Sequence, residues 1–341
     1  TAPTGISTLS LHDALPISGG QRNGLNEPFI TGVLCTYDRP RRLAEFLAGM
    51  AGQTMDRSRF ELVVVDDGSS PPVAPVVEPF LSRLPIRLFR QANAGVARSR
   101  NAGAGQARGR FLAFTDDDNQ LPPDWLERLA ARCRRDPDAL IGGHTVNAND
   151  NDLYARASMM ILDVAYRWHN TDPFAPRFFH GGNMTVSRQG FLELGGFDPR
   201  YGKAGAEDRG FCASWAAAER PLVYAPEVTV VHAHHHLNLR AFWIQHRGYG
   251  RGARIYHQLH TGRSAPVPLR RQLAFYGMLL AAPFRHGQRL GWRALPVLAL
   301  LVISRLANCA GFFAEARRDS DLRPVPRPSG SPDQSNPAGE R

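Results

Sequence analysis

The sequence predicts an α/β protein built on a doubly wound, mostly parallel sheet, followed by a helical appendage that is both basic and apolar. Two observations carry this expectation. Short apolar, strand-like runs alternate with amphipathic stretches from Phe29 to Val231, and acidic clusters stand at the ends of several runs. A βαβαβαβ order implies a parallel sheet with right-handed crossovers, and the carboxyl ends of its strands are where such sheets bind ligands.

Phe29 to Thr36, FITGVLCT, reads as a buried strand, and Pro40 opens a helix with Leu43, Phe46, Leu47 and Met50 on one face. A second strand, Phe60 to Val65, ends in Asp66-Asp67-Gly68-Ser69, and a third, Ile86 to Phe89, leads into the turn Asn93-Ala94-Gly95. A helix over Val96 to Ala107 precedes the run FLAFT, which stops in Asp116-Asp117-Asp118-Asn119. A helix over Asp124 to Arg134 follows Pro122-Pro123, and Leu140 to Val146 forms a strand. Residues 147–176 give little periodic signal. The stretch Phe178 to Ser187, the turn Gly195-Gly196-Phe197-Asp198, a helix from Asp208 to Ala218 and a strand from Leu222 to Val231 close the domain. The expected organisation is a leader over 1–27, an α/β domain over 28–238, an arginine-rich helical region over 239–320 and a disordered Pro/Ser/Gly tail over 321–341.

Composition bounds the function. The 341 residues and 43% hydrophobic content suit a packed globular core. Cys35, Cys133, Cys212 and Cys309 stand apart without a C-x-x-C pair, which argues against a zinc knuckle or a secreted disulfide framework and fits a reducing cytosol. The leader lacks a basic segment followed by an apolar one, so it is a poor signal peptide. Its TLSLHDALPI, Thr8 to Ile17, resembles a translated sequencing adapter and is expected to be an artefact.

The net charge of +10 is concentrated. Between Arg240 and Ser320 thirteen arginines face only Glu315 and Asp319, about +11, interleaved with the apolar runs FYGMLLAAPF and ALPVLALLVISRL. Apolar stretches with basic flanks suit an anionic membrane surface better than nucleic acid. The segment Ala294 to Phe313 has about the 20 residues that a bilayer core requires, but Arg305 within it and Pro296 near its start favour an interfacial or core-packed helix. The expected location is the cytoplasm, peripheral on the inner face of the cytoplasmic membrane.

Three consecutive aspartates at a strand end call for a cation and phosphates, because like charges so close need an opposite charge among them. The order VVVDDGS, NAGVARSRNAG, FTDDDNQLPPDWL, GGNMTVSR and GGFDPRYG followed by Ala206-Glu207-Asp208 resembles the family 2 glycosyltransferases, over about Phe29 to His236. That resemblance implies the GT-A fold, a nucleotide-sugar donor and Mn2+ or Mg2+ as cofactor. It also implies a role for each cluster. Thr36, Tyr37 and Arg39 would bind the nucleotide, Tyr37 by stacking on the base. Asp67 would accept the imide N–H of a uracil-type base, and Arg100 would reach the nucleotide or its phosphates. Asp116 and Asp117 would serve ribose or metal-bound water, and Asp118 the metal, with His232 as a further ligand. Asp208, or less favourably Glu207, would be the general base, and Asn183 in H-G-G-N would line the acceptor or donor-sugar side.

One base and no enzymic nucleophile imply direct displacement, hence inversion at the anomeric carbon. The acceptor would be a hydroxyl of a cell-envelope or lipid-linked glycan. Two departures from the family stand out: Ser214 occupies the position where an arginine often follows the acidic pair, and Gln245-His246-Arg247-Gly248-Tyr249 only partly matches the Q-x-x-R-W of processive synthases. The alternatives are a sugar nucleotidyltransferase, for which the glycine-free loop from Cys35 to Pro40 is a poor fit, and a non-catalytic protein binding membrane surfaces or nucleic acid through its arginines.

Overall fold

The computed structural model of the protein describes residues 27–148, 151–172, 175–233, 238–260, 269–285 and 290–317. The leader apart from Glu27, the tail and His234 to His236 lie outside the described residues.

Eight strands form one sheet: β1 (Ile30–Thr36), β2 (Phe60–Asp66), β3 (Ile86–Arg90), β4 (Phe111–Asp116), β5 (Asn119–Gln120), β6 (Leu140–Asn147), β7 (Asn183–Ser187) and β8 (Leu222–His232). Their spatial order is β3-β2-β1-β4-β7-β6-β8-β5. The helices are α1 (Pro40–Ala51), α2 (Ala74–Val77), α3 (Val96–Gln106), α4 (Trp125–Arg135), α5 (Leu153–His169), α6 (Arg188–Glu193), α7 (Glu207–Ala217), α8 (Leu239–Leu259), α9 (Leu269–Ala281) and α10 (Ala294–Ala316).

β1, β2, β3 and β4 pair in parallel, so Thr36, Asp66 and Asp116 reach one edge. β2 is buried along its whole length, which is why it reads as a continuous apolar run rather than an alternating one. Leu43, Phe46, Leu47 and Met50 of α1 join Trp125, Leu126 and Leu129 of α4 over one face of the sheet. On the other face lie Ala97 and Ala104 of α3, Phe191 and Phe197, and Phe211 and Trp215 of α7.

Beyond β4 the sheet is mixed. β7 runs antiparallel to both β4 and β6, whereas β6 and β8 are parallel. Within the stretch Phe178 to Ser187 the strand is Asn183–Ser187, beginning where Asn183 pairs with Thr115 at the end of β4. The register shift between Gly143 and His144 leaves Pro226, Glu227 and Val228 of β8 outside the ladder, where a proline removes no ladder hydrogen bond.

The weak signal over 147–176 conceals α5. Asp152 caps it by accepting from Tyr154 N and Ala155 N at 2.8 and 3.0 Å. Its Ala157, Met160 and Val164 pack with Phe242 of α8, Leu279 of α9 and Val297 and Leu301 of α10 into a separate apolar cluster. α8 and α10 cross closely enough that a Cβ on Gly250 would overlap the Asn308 carbonyl, and Arg251 Nε pairs with Glu315 Oε2 at 2.6 Å across the crossing. The helical segment from Gly291 to Ala316 is long and apolar enough to cross a membrane by length and composition, with 33% of its most apolar window buried in the protein.

Candidate active site

The carboxyl edge of β1, β2 and β4, the turn before β7 and the start of α7 converge on two groups of charges. Arg100, on α3, stands at the centre of the first. Its Nη2 donates to Asp116 Oδ1 and its Nη1 to Glu207 Oε1, both at 2.8 Å, and the arginine is 3% exposed. One guanidinium cannot neutralise two carboxylates, and the pair divides accordingly. Burial works against the Asp116 charge, but the Arg100 guanidinium outweighs it and holds that carboxyl down at about 2. Burial and the adjacent Asp208 push Glu207 up to about 7 against Arg100. Gly181 and Gly182 are required here by close approach, because a Cβ on either would overlap Arg100 Nη1 or Asp116 Oδ2.

Three of the expected site residues have partners within the protein. Both Arg100 Nη atoms are held by carboxylates, those of Asp116 and Glu207. Glu207 is buried and paired with Arg100. Asn183 is 2% exposed and donates to the carbonyls of His144 and Val228 at 3.1 and 3.0 Å, so it ties β7 to its neighbours instead of lining the cleft.

The second group is Asp117, Asp118 and His232. Thr36 Oγ1 donates to Asp117 Oδ2 at 2.7 Å and Arg39 Nη1 to Asp117 Oδ1 at 3.0 Å. Burial, opposed by Arg39 and reinforced by Asp118, pushes Asp117 up to about 6. Asp118 Oδ2 lies 3.1 Å from Arg42 Nη1 and 3.4 Å from Arg39 Nη1, while its buried Oδ1 accepts no hydrogen bond and lies 3.3 Å from His232 Nδ1. Asn119 sets the histidine. Its Nδ2 donates to Thr115 Oγ1 and Gly182 O, so its Oδ1, 2.9 Å from His232 Nδ1, is the acceptor and Nδ1 carries the proton. Burial keeps His232 below its ordinary pKa, although Asp118 opposes it, so the neutral ring directs its lone pair from Nε2.

Asp208 differs from its neighbour in being only half buried. Its Oδ2 accepts from Gly181 N at 3.1 Å and its Oδ1 from Arg209 N at 2.7 Å, which fixes the carboxylate at the first turn of α7. The turn into that helix puts Ala206 at φ 71, a left-handed conformation that costs a non-glycine residue about 1 kcal/mol or more. α8 closes this end of the cleft: Tyr249, within the Gln245–Tyr249 sequence, packs against Gly205, and the Arg209 guanidinium lies 4.0 Å from the Tyr256 ring centroid. Ser214 lies in the same α7 with no arginine in its place.

At the carboxyl end of β2, Asp66 accepts from Ser69 N, Val73 N and Arg90 Nη1. Asp67, 6% exposed, accepts from Gln91 Nε2 at 2.7 Å and from Ala94 N and Gly95 N at 2.9 Å. Three of the roughly four acceptor positions of an ionised carboxylate are thus taken by the turn before α3. Tyr37 is 47% exposed and available as a flat platform at the mouth.

Arg42, Asn119, His180 and Gly181 escaped sequence reasoning. Arg42 lies three residues after Arg39 on the first turn of α1, so its spacing was a usable signal, and Asn119 directly follows the aspartates. Nothing in the sequence placed His180 beside Asp116. Among the described residues no three His, Cys, Asp or Glu side chains form a ready-made metal cage.

A carboxylate-lined cleft on the carboxyl edge of a doubly wound sheet, closed by a mixed half, is the GT-A arrangement of glycosyltransferases. Residues 32–195 match the profile of Glycosyl transferase family 2, and this part of the chain is a family 2 glycosyltransferase domain. The chain is similar to the glucosyl-dolichyl phosphate glucuronosyltransferase of Haloferax volcanii, 29% identical over 183 residues that make up 52% of this chain and 58% of that protein. It is also similar to the succinoglycan biosynthesis protein ExoM of Rhizobium meliloti, 29% identical over 58% of this chain and 64% of the relative. The chain thus spans less than two thirds of either relative's length. Among solved structures, the mannosyltransferase PcManGT of Pyrobaculum calidifontis, in complex with GDP-Man and Mn2+, has a TM-score of 0.59 at 19% identity, covering 87% of this chain and 89% of that one. That likeness is one of fold.

Proposed function

We propose that the protein transfers a sugar from a nucleotide-diphosphate donor to a hydroxyl of a cell-envelope or lipid-linked glycan, with inversion and with a divalent cation. The observation that carries this reading is the separation of roles between neighbours: Glu207 is buried on Arg100, while Asp208, half buried and fixed by two backbone N–H groups, stands at the cleft. A carboxylate in that position takes the acceptor hydroxyl proton as the new glycosidic bond forms. No second carboxylate is needed as a nucleophile, so a single displacement inverts the anomeric carbon.

The residues present fit a cation. Asp118 has a buried oxygen with no hydrogen-bond donor, and Asn119 fixes His232 in the tautomer whose Nε2 lone pair suits a metal. Asp118 and His232 would hold Mn2+ or Mg2+, the remaining sites being filled by water and substrate phosphates. When bound, the ion stabilises the negative charge that develops on the departing diphosphate. Asp117, with Thr36 and Arg39, would orient the ribose side, Tyr37 would stack on the base, and the Asp67 turn would border it. The Mn2+ and GDP-Man of PcManGT, and the dolichyl phosphate and succinoglycan in the relatives' names, support the donor, cofactor and acceptor classes. Family kinship also favours glycosyl over nucleotidyl transfer.

The arginine-rich helices that follow the cleft support a peripheral position on the cytoplasmic face of an anionic membrane. Donor turnover with and without manganese, compared between wild type, Asp118→Ala and Asp208→Asn, tests the assignment. Metal-independent turnover that survives both substitutions would end it.

A further inference from the structure

α9 and α10 present an apolar surface that nothing in the cleft uses. Among the described residues, fifteen large hydrophobic side chains are exposed, and nine of them fall between Leu273 and Phe313. They are not scattered. On α10, Leu295, Val302, Leu306 and Phe313 recur at steps of seven, four and seven, and on α9 and the turn after it Leu273, Tyr276, Leu280 and Phe284 recur at three, four and four, so each set forms one stripe. Between the stripes runs a groove of about 250 Å³, lined by Tyr276, Leu280, Val302, Leu306, Cys309 and Arg305.

Arg305 decides what the groove takes. Its Nη2 donates to Ser304 Oγ at 2.8 Å, its buried Nε has no acceptor, and among the described residues no carboxylate pairs with it. The rim has the same sign: Arg270, Arg285, Arg293 and Arg317 are exposed at the ends of the two helices, and the one acid on them, Glu315, is bound by Arg251. An apolar slot with an uncompensated cation inside and cations at its ends is complementary to an anionic amphiphile. The polar contacts of α10 with α8, the buried Ser304 against His246 and the partly buried Glu315 against Arg251, and the restriction of its apolar exposure to one stripe, set the helix in the plane of the interface and not across the bilayer.

We infer that the groove between α9 and α10 is a lipid site that takes an acyl chain of an anionic phospholipid, with Arg305 meeting its headgroup, and that this seats the helix pair flat in the membrane surface. The inference rests on the reading of these helices as a membrane-facing surface and adds a particular site to it.

Cys309 lines the groove and is exposed, whereas Cys133 and Cys212 are buried, so it reports directly on occupancy. The full-length protein is alkylated with N-ethylmaleimide beside phosphatidylcholine vesicles with and without phosphatidylglycerol, and Cys309 is followed by peptide mass spectrometry. Anionic vesicles at about ten times their dissociation constant should slow its modification about tenfold, and neutral vesicles should not. Arg305→Gln should weaken the preference for anionic vesicles about fivefold, Arg305→Lys should restore it, and Leu306→Asp should abolish the protection by anionic vesicles. Equal alkylation rates with both vesicles, or an anionic preference untouched in Arg305→Gln, would overturn the site. Protein that resists alkaline extraction from the membrane would overturn the in-plane placement. Wild-type donor hydrolysis measured without vesicles reports the cleft independently: a protein that turns over donor but ignores vesicles loses only the lipid site, and the converse loses only the catalytic reading.

Discussion

Two groups of charges share one strand end and differ in how completely they are satisfied. Asp116 and Glu207 meet on the buried Arg100 in a mutually bonded triad. One residue further along the chain, Asp117 is pushed up to about 6 and Asp118 keeps a buried oxygen with no donor. The difference teaches that adjacent acids in one motif divide the work. The triad ties α3, β4 and α7 together and so fixes where Asp208 stands, while in the second group one oxygen, Asp118 Oδ1, is left without a donor. A buried acceptor without a partner costs about 1–3 kcal/mol, a strain that a bound ion would relieve.

Removing the centre of the satisfied group should have the largest effect. Arg100→Ala leaves the buried Glu207 and the partly buried Asp116 without their cation and should cost about 3–5 kcal/mol of stability in urea unfolding, whereas Arg100→Lys should cost less. A loss below that of an ordinary surface substitution would show the triad to be incidental. In the other group, Asn119→Ala frees the His232 ring to change tautomer and should weaken manganese affinity by about 10–100-fold at nearly unchanged fold, as read by calorimetry.

The triad also has a pH signature. Glu207 is raised from 4.5 to about 7, so the native state binds its proton more tightly than the unfolded chain does, and stability that is complete below pH 4.5 is lost as pH rises towards 7. Glu207→Gln should flatten that decline in urea titrations at pH 5 and pH 8; an identical slope in wild type and variant would refute the shared-charge account. Smallest of all, Tyr37→Ala should lower donor affinity by only about 0.5–1.5 kcal/mol in equilibrium binding, because an exposed ring at the rim contributes little beyond stacking.

What was legible in the sequence follows from the same contrast. β1, β2 and β4 announced themselves because strands buried on both faces must be apolar throughout, and FLAFT ending in three aspartates marked the cleft edge. α5 was hidden because its apolar residues serve α9 and α10 as well as the domain, so they do not keep to one stripe. The direction of β7 depends on where a long connection returns, which local pattern does not encode. Charge partners were the hardest to read. Arg100 and Glu207 lie 107 positions apart, and only the fold shows that an arginine suited to phosphates is already committed. The two glycines before Asn183 are explained the same way: Arg100 and Asp116 approach them too closely for a side chain.

The division between Glu207 and Asp208 is best tested by measuring single-turnover sugar transfer in Asp208→Asn and Glu207→Gln with donor saturating. The account predicts that Asp208→Asn slows transfer by about 10²–10⁴-fold while its melting temperature and donor binding stay close to wild type, and that Glu207→Gln retains most of its transfer rate. Full transfer by Asp208→Asn, with Glu207→Gln inactive though folded, would contradict it.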